Sequence, residues 1–337
     1  MIKTSRNYKI IGLVLAVLLL CGGGYSFYAK NQNGASKQKA VILLKATDDQ
    51  AADYPTAKGL QYMAQLLEER SHGHIKMTVY SGGILGAGKD ILDATQAGTL
   101  DIGRITVSSL VGYSPELNVF LTPFLFRDAD HQWKVLDGPV GKKLLKGLEK
   151  SGFVGLGYYD SGARSFYSKT PVNSPQDLAN KKIRVLDVKI QKDMISTLGG
   201  EPLTTPFLEV YPGLQTGAID AAENSPPSFY STKHYELAKY FTLTEHAVAP
   251  EAIIINKNTW DSLSPEDQEL LQQATKDSTV YQKKLWSEFA EQAMKKLTEQ
   301  GVTIITPNRE LFRQALAPLY ANYPEYKELI KEIQDTK

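Results

Sequence analysis

The chain lacks most of the residue patterns on which common classes of enzyme depend. It has one cysteine, Cys21, among 337 residues, so no intramolecular disulfide can form and the rest of the chain has no thiol for catalysis or metal binding. Its five histidines show no His-Glu-x-x-His spacing, and no Gly-x-Ser-x-Gly motif is present. These absences favour a binding protein over a hydrolase. We therefore predict that the chain is not an enzyme and uses no cofactor or metal ion.

An excess of charge of one sign is also missing. The chain has 38 Lys and Arg residues against 37 Asp and Glu residues, and its basic residues are scattered among acids without interleaved aromatics. This pattern argues against nucleic acid as a partner. Gly83–Lys89 has the spacing of a phosphate-binding loop, but Asp90 replaces the Ser or Thr that would bind magnesium. We interpret it as a glycine-rich turn before a helix and predict no nucleotide site.

The N-terminus has the pattern of a targeting segment. Three basic residues precede the apolar stretch Ile10–Leu20, which has the length of the apolar core of a secretory signal. Leu18–Gly22 resembles a lipoprotein processing site, at which Cys21 would be acylated. The uncharged span Ile10–Ala29, about 20 residues, is also long enough to cross a bilayer uncleaved.

We therefore expect residues 1–30 to be a signal peptide or membrane anchor. Residues 31–40 are small and polar and are predicted to form a linker. Every version of this interpretation places the remainder outside the cytoplasm, in the periplasm or at the outer face of the cell membrane. We predict that the N-terminal segment anchors it there.

Strand and helix patterns alternate through the body of the chain, which predicts an α/β fold. For example, the pattern predicts one long helix over His131–Leu148 and then a strand over Phe153–Tyr159. Ser264–Asp267 combines a capping serine, a proline and two acids, and no further proline or glycine occurs before Gly301. A helix of about 36 residues would be about 54 Å long, longer than a small domain is wide. We expect two lobes joined by this helix; a coiled coil is the alternative. The predicted lobes comprise residues 41–161 with 248–283, and 162–247 with 284–337.

Two arginines indicate a possible function. Arg164 and Arg184 lie at the ends of short strand-like runs, where open α/β sheets present side chains to a cleft, and Asn224 follows a third such run. A guanidinium binds a carboxylate through two parallel hydrogen bonds. Two cations and an amide at one crevice indicate a receptor for a small organic acid. The alternative is that both arginines form structural salt bridges.

The chain resembles a known family, the solute-binding proteins of tripartite ATP-independent periplasmic (TRAP) transporters of the dicarboxylate-receptor type. The likeness covers residues 41–320 and depends on the order of several short motifs. They are Gly86 in its turn, Asp101, Pro123–Asp128 with His131, Pro171 with Asp177, Ile183–Val185, Glu209–Gly217 and Asp220–Asn224. The resemblance implies a two-lobed periplasmic-binding-protein-like fold with a hinge cleft and a long helix spanning both lobes.

The resemblance also implies roles for individual residues. Arg184 would form the main salt bridge to the ligand carboxylate, and Arg164 and Asn224 would add hydrogen bonds. Tyr159–Tyr167 and Lys233–His246 look like the branch that binds sugar acids such as hexuronates. Two departures from that branch lie close to the predicted pocket, Arg184–Val188 and Glu223–Ser225. The predicted ligand-binding residues are Arg184, Arg164, Asn224, Arg104, Tyr167, Glu209 and Tyr211.

The implied function is capture of a small organic acid and its delivery to a transporter driven by an ion gradient. The implied partners are the small and the large membrane subunit of a TRAP transporter, and the receptor itself is expected to be a monomer. A C4-dicarboxylate or another carboxylate is the alternative ligand. A ligand sensor that reports to a membrane kinase and a secreted enzyme are the alternative functions.

Overall fold

The structure is a computed structural model that describes residues 40–337. The predictions for residues 1–30, including acylation of Cys21, and nearly all of the predicted linker lie outside the described residues. Within residues 40–337, no helix is both long enough and apolar enough to cross a membrane.

The described residues contain eleven strands and twelve α-helices. The strands are β1 (Ile42–Thr47), β2 (Ile75–Tyr80), β3 (Ile102–Thr106), β4 (Phe153–Tyr159), β5 (Ala163–Ser168), β6 (Lys182–Arg184), β7 (Glu201–Leu203), β8 (Ala221–Asn224), β9 (Tyr240–Val248), β10 (Glu251–Asn256) and β11 (Thr303–Ile305). The helices are α1 (Pro55–Arg70), α2 (Lys89–Gln96), α3 (Val107–Leu110), α4 (Ala129–Asp137), α5 (Pro139–Lys146), α6 (Lys189–Thr197), α7 (Val210–Thr216), α8 (Pro226–Ser231), α9 (Lys257–Ser262), α10 (Pro265–Glu299), α11 (Arg309–Leu316) and α12 (Lys327–Gln334).

The strands form two sheets, which confirms the predicted α/β class. The first sheet has the order β2-β1-β3-β10-β4, and the second has the order β11-β9-β5-β8-β6-β7. The chain passes from the first sheet to the second between β4 and β5, at residues 160–162. It returns between β9 and β10, at residues 249–250. These two crossings are short, so the last residues of one sheet lie next to the first residues of the other. A third, longer connection leads from β10 through α9 and α10 to β11 of the second sheet.

The long helix predicted from the sequence is confirmed as α10, which has 35 residues. Its N-terminus is capped as the sequence indicated, because the Ser264 side chain accepts a hydrogen bond from the Asp267 amide at 3.2 Å. The Gln282 side chain holds the first crossing to this helix. Its Oε1 accepts from the Asp160 amide at 2.8 Å, and its Nε2 donates to the Asp160 carbonyl at 2.9 Å.

The lobe boundaries stay a prediction. The change of sheet falls at residues 160–162 and 249–250, close to the predicted limits. However, one apolar cluster contains residues from both predicted lobes, for example Phe120 and Trp133 together with Met194 and Phe312.

One helix prediction was wrong. The pattern over His131–Leu148 predicted a single helix, but the chain forms α4 and α5 with a break at Gly138. The cause is Pro139, which has no amide hydrogen and disfavours helical backbone at the residue before it.

Strand β9 was not predicted, although it is the longest strand of the second sheet. Its sequence, YFTLTEHAV, mixes polar and apolar residues without clear alternation.

Candidate functional site

A cavity of about 780 Å³ receives one wall from each sheet. Asp49, Arg104 and Glu251 lie on the wall from the first sheet, and Arg164, Arg184 and Asn224 lie on the wall from the second. The volume is within the range of about 300–1,000 Å³ that is typical of small-molecule sites. Four of the predicted ligand-binding residues, Arg104, Arg164, Arg184 and Asn224, therefore line one cavity.

Strand pairing brings three of these side chains together on the second wall. β5 runs antiparallel to β8 with Ser165 opposite Asn224, so Arg164 lies next to that amide. β6 runs parallel to β8 with Arg184 opposite Ala222, so Arg184 reaches the same end of the sheet. The convergence inferred from the strand-end positions in the sequence is a consequence of this pairing.

Arg164 is buried in an ion pair within the protein. Its Nε and Nη2 donate to the two carboxylate oxygens of Glu223, the second at 2.8 Å, and Nη2 also donates to the Glu223 carbonyl at 2.8 Å. Nη1 donates to Asn224 Oδ1 at 3.2 Å. Burial alone would raise the pKa of Glu223, but Arg164 and His246 overcome this effect and lower it to about 2. The charge of Arg164 is therefore already compensated.

Arg184 differs from Arg164 because none of the described residues provides a carboxylate partner for it. It is 6% exposed, and its Nε donates to the Thr205 carbonyl at 2.9 Å. Burial lowers the pKa of Arg184, whereas the nearby acids raise the pKa of Arg104 and of Arg164 despite burial. Removing a cation from water without a counter-ion is unfavourable. An anion in the cavity would relieve that cost.

Three carboxylates surround Arg104 on the opposite wall. Its Nη1 donates to Glu251 at 2.7 Å, and its Nη2 pairs with both Asp48 and Asp49. Thr106 Oγ1 donates to the two Glu251 oxygens at 2.9 and 3.0 Å. Burial raises the pKa of Glu251, and Arg104 opposes that shift. Arg104 was predicted to contact the ligand. It lines the cavity, but its guanidinium is already engaged by three acids.

The other three predicted ligand-binding residues, Tyr167, Glu209 and Tyr211, do not line this cavity, and their contact with the ligand stays a prediction. Tyr167 is 2% exposed, packs among core aromatics and shares a 2.8 Å hydrogen bond with His234 Nδ1. Glu209 is exposed at the end of a 3₁₀ turn. Tyr211 donates to Glu236 at 2.7 Å. The sequence placed all three near the arginines, but it could not show which way their side chains point.

Several cavity residues were not predicted, namely Asp49, Tyr54, Thr56, Glu251 and Trp286. Glu251 had a detectable signal, since it is an acid directly before the four apolar residues of strand β10. Asp49 lies just after β1, a position where α/β sheets present side chains to ligands. Trp286 lies in the middle of α10, where only the tertiary structure shows that it reaches the cavity.

Comparison with known protein families identifies the family of the chain. The sequence profile of the bacterial extracellular solute-binding proteins of family 7, DctP, matches residues 47–326. The chain belongs to this family. The 2,3-diketo-L-gulonate-binding periplasmic protein YiaO of Escherichia coli K12 is 34% identical over 279 residues, which is 81% of this chain and 85% of that protein. The C4-dicarboxylate-binding periplasmic protein DctP of Rhodobacter capsulatus is 30% identical over 292 residues, covering 84% and 87%.

Solved structures of TRAP periplasmic solute-binding proteins have the same two-sheet fold. The Bradyrhizobium protein in complex with D-galacturonate is 42% identical, with a TM-score of 0.84 over 87% of this chain and 99% of that one. The Citrobacter koseri protein with bound D-glucuronate is 33% identical, with a TM-score of 0.84 over 88% of this chain and 100% of that one. The apo, open structure from Citrobacter koseri gives 0.79 over 87% and 98%, at 32% identity. The present fold is thus more similar to the ligand-bound structure.

Proposed function

We propose that the protein is an extracytoplasmic receptor that binds a hexuronate or a similar sugar acid and delivers it to a TRAP transporter. The observation that carries this proposal is Arg184, a buried guanidinium on the cavity wall to which the described residues supply no carboxylate. A ligand carboxylate is the natural partner for its planar pair of donors. Asn224, in the same cavity, supplies an amide for further hydrogen bonds.

The comparisons support a sugar acid as the ligand. The Bradyrhizobium structure contains D-galacturonate, the Citrobacter koseri structure contains D-glucuronate, and the E. coli relative is named for 2,3-diketo-L-gulonate. The Rhodobacter relative is named for C4-dicarboxylates, so a dicarboxylate is the second candidate. The family is one of solute-binding proteins for transport. We further propose that this chain leaves its ligand chemically unchanged.

Binding is expected to depend on the carboxylate of the ligand. D-Galacturonate and D-glucuronate should bind, whereas the methyl ester or the amide of the same sugar should lose about 2–5 kcal/mol because Arg184 would stay buried without an anion. The measurement is a thermal-shift screen of sugar acids and C4-dicarboxylates, followed by calorimetric titration of acid and ester. A ligand at 100 times its Kd should stabilise the fold by about 2.7 kcal/mol. Equal affinity for acid and ester would contradict the proposed role of Arg184.

Recovery of unchanged ligand after incubation with the protein distinguishes a receptor from an enzyme.

We also propose that the cavity closes around its ligand by a hinge motion at the two sheet crossings. Tyr54, at the start of α1, shares a 2.9 Å hydrogen bond with Ser228 Oγ of α8, and this bond joins residues from the two predicted lobes. The Trp286 side chain packs against Gly162 in the first crossing. The φ angle of Gly162 is +65°, a backbone conformation that favours glycine. The lower TM-score with the open apo structure from Citrobacter koseri agrees with a closed arrangement here.

Ligand should therefore make the protein more compact. In solution scattering, the radius of gyration is expected to decrease when a saturating sugar acid is added, because closure brings the two walls together. Tyr54→Phe removes only the hydroxyl of the bond between the walls, so it should weaken binding by about 2- to 12-fold. An unchanged radius of gyration at saturation would indicate a rigid pocket. Tyr62→Phe is the matched control, because Tyr62 is a half-buried residue of α1 that packs against Tyr281 and does not line the cavity.

The membrane partners and the location follow from the same proposal. The receptor would act in the periplasm or at the outer face of the cell membrane, held there through its N-terminal segment. It would deliver ligand, as a monomer, to the small and large membrane subunits of a transporter driven by an ion gradient. A sensor that signals to a membrane kinase uses the same binding chemistry, and co-purification with transporter subunits separates the two functions.

A further inference from the structure

The charges of the cavity are unequally distributed between its two walls. On the second wall, Arg164 and Glu223 neutralise each other and Arg184 leaves one positive charge. On the first wall, one positive charge on Arg104 meets three negative charges, which leaves a formal charge of −2. The cavity thus has a cationic end and an acidic end.

The acids of the first wall retain acceptor capacity toward the cavity. Among the residues that the structure describes, Glu251 Oε1 accepts only from Thr106 Oγ1, at 2.9 Å. Asp49 Oδ1 binds Arg104 and Gln50, whereas its Oδ2 takes no hydrogen bond from any residue between 40 and 337. In addition, Thr56 lines the same cavity and is only 1% exposed, and its Oγ1 has no hydrogen-bond partner among the described residues. Buried polar groups of this kind normally bind a partner.

The remaining cations of the cavity lining do not offer a second buried site for an anion. Lys89 and Lys189 have side chains that are 78% and 72% exposed. Each forms an ion pair within its own helix, with Asp93 and Asp193 respectively. A second carboxylate on a ligand held by Arg184 would therefore face the acidic wall.

We infer that Asp49 and Glu251 are specificity-determining residues, which accept hydrogen bonds from ligand hydroxyls and repel a second carboxylate. This inference rests on the proposed function, in which Arg184 holds the ligand carboxylate. It assigns the receptor to polyhydroxylated monocarboxylic acids and excludes dicarboxylates. Hydroxyl groups satisfy carboxylate acceptors, whereas two like charges in a buried site destabilise each other.

The test is calorimetric titration of wild type, Glu251→Gln and Asp49→Asn with D-galacturonate, D-glucuronate, galactarate and L-malate. Galactarate carries the galacturonate carboxylate together with a second one. In wild type, the tighter hexuronate should bind at least about 30-fold more tightly than either diacid, as expected from a like-charge penalty of a few kcal/mol. Each variant should weaken hexuronate binding by about 10- to 100-fold, because it removes a charged acceptor. The preference for the hexuronate over the diacids should also fall by at least tenfold.

Glu68→Gln is the matched control, since Glu68 pairs with Lys76 at the surface, and it should leave every affinity unchanged. Thermal unfolding of each variant checks that it is folded. Tight binding of a diacid by wild type, or unchanged hexuronate affinity in both variants, would overturn the inference while leaving the receptor function intact. Failure of wild type to bind any of these acids would instead remove the proposed function and the inference together.

Discussion

Replacing Arg184 by alanine is expected to weaken the binding of sugar acids severely, and lysine is expected not to restore it. The described residues leave the guanidinium of Arg184 without a carboxylate, and its Nε is held by the Thr205 carbonyl at 2.9 Å. A ligand carboxylate would therefore give Arg184 the ion pair that the described residues do not supply. Loss of one partner of a buried, hydrogen-bonded charge pair costs about 2–5 kcal/mol, equivalent to roughly 30- to several-thousand-fold in Kd. Lysine keeps the charge but not the two parallel donors.

Calorimetric titration with the best acid of the thermal-shift screen measures the affinities of the Arg184 variants. Arg70→Ala is the control, because Arg70 pairs with Asp277 on the surface and should bind the ligand as wild type does. Near-native affinity in Arg184→Lys would mean that the arginine acts only as a charge. Near-native affinity in Arg184→Ala would mean that Arg184 has a structural role and that the carboxylate is bound elsewhere.

Replacing Glu223 by glutamine is expected to destabilise the fold by about 3–5 kcal/mol at neutral pH, because it leaves Arg164 buried beside a neutral partner. Glu223 is fully buried, and Arg164 makes three hydrogen bonds to its carboxylate and carbonyl. Thermal unfolding should show a decrease in Tm on the order of 10 °C. Glu299→Gln alters an exposed pair with Lys296 and should leave Tm within about 2 °C of wild type. A similarly small change in Glu223→Gln would show that the buried pair contributes little net stability.

The destabilisation caused by Glu223→Gln should also depend on pH. Burial on its own raises the pKa of Glu223, but Arg164 and His246 lower the folded value to about 2 from 4.5. A lowered folded pKa gives stability that is present above pH 4.5 and is lost as the pH falls toward 2. The difference in unfolding free energy between wild type and variant should therefore narrow by about 3 kcal/mol over that range. Urea unfolding at neutral and acidic pH measures it, and a constant difference would contradict the lowered pKa.

The sequence predicted the elements whose signals are local. The α/β class, strand β4 and the long helix α10 are all present, because apolar periodicity, a capping serine and the spacing of glycine and proline act on neighbouring residues. The prediction failed where one residue outweighed a pattern, as Pro139 does between α4 and α5. It also failed at β9, where pairing with β5 and β11 stabilises a strand whose own sequence shows no clear alternation.

The candidate site was likewise predicted only in part from the sequence. From the sequence alone, strand-end positions indicated that Arg164, Arg184 and Asn224 converge, and the family resemblance pointed to a sugar acid. Only the tertiary structure decided which arginine has no carboxylate partner among the described residues, because the compensating acids come from distant parts of the chain. Glu251 is 147 positions from Arg104, Asp48 is 56 positions from it, and Glu223 is 59 positions from Arg164. A charge and its partner are matched by strand pairing across the folded sheets, and this pairing is not encoded in the spacing of either residue along the chain.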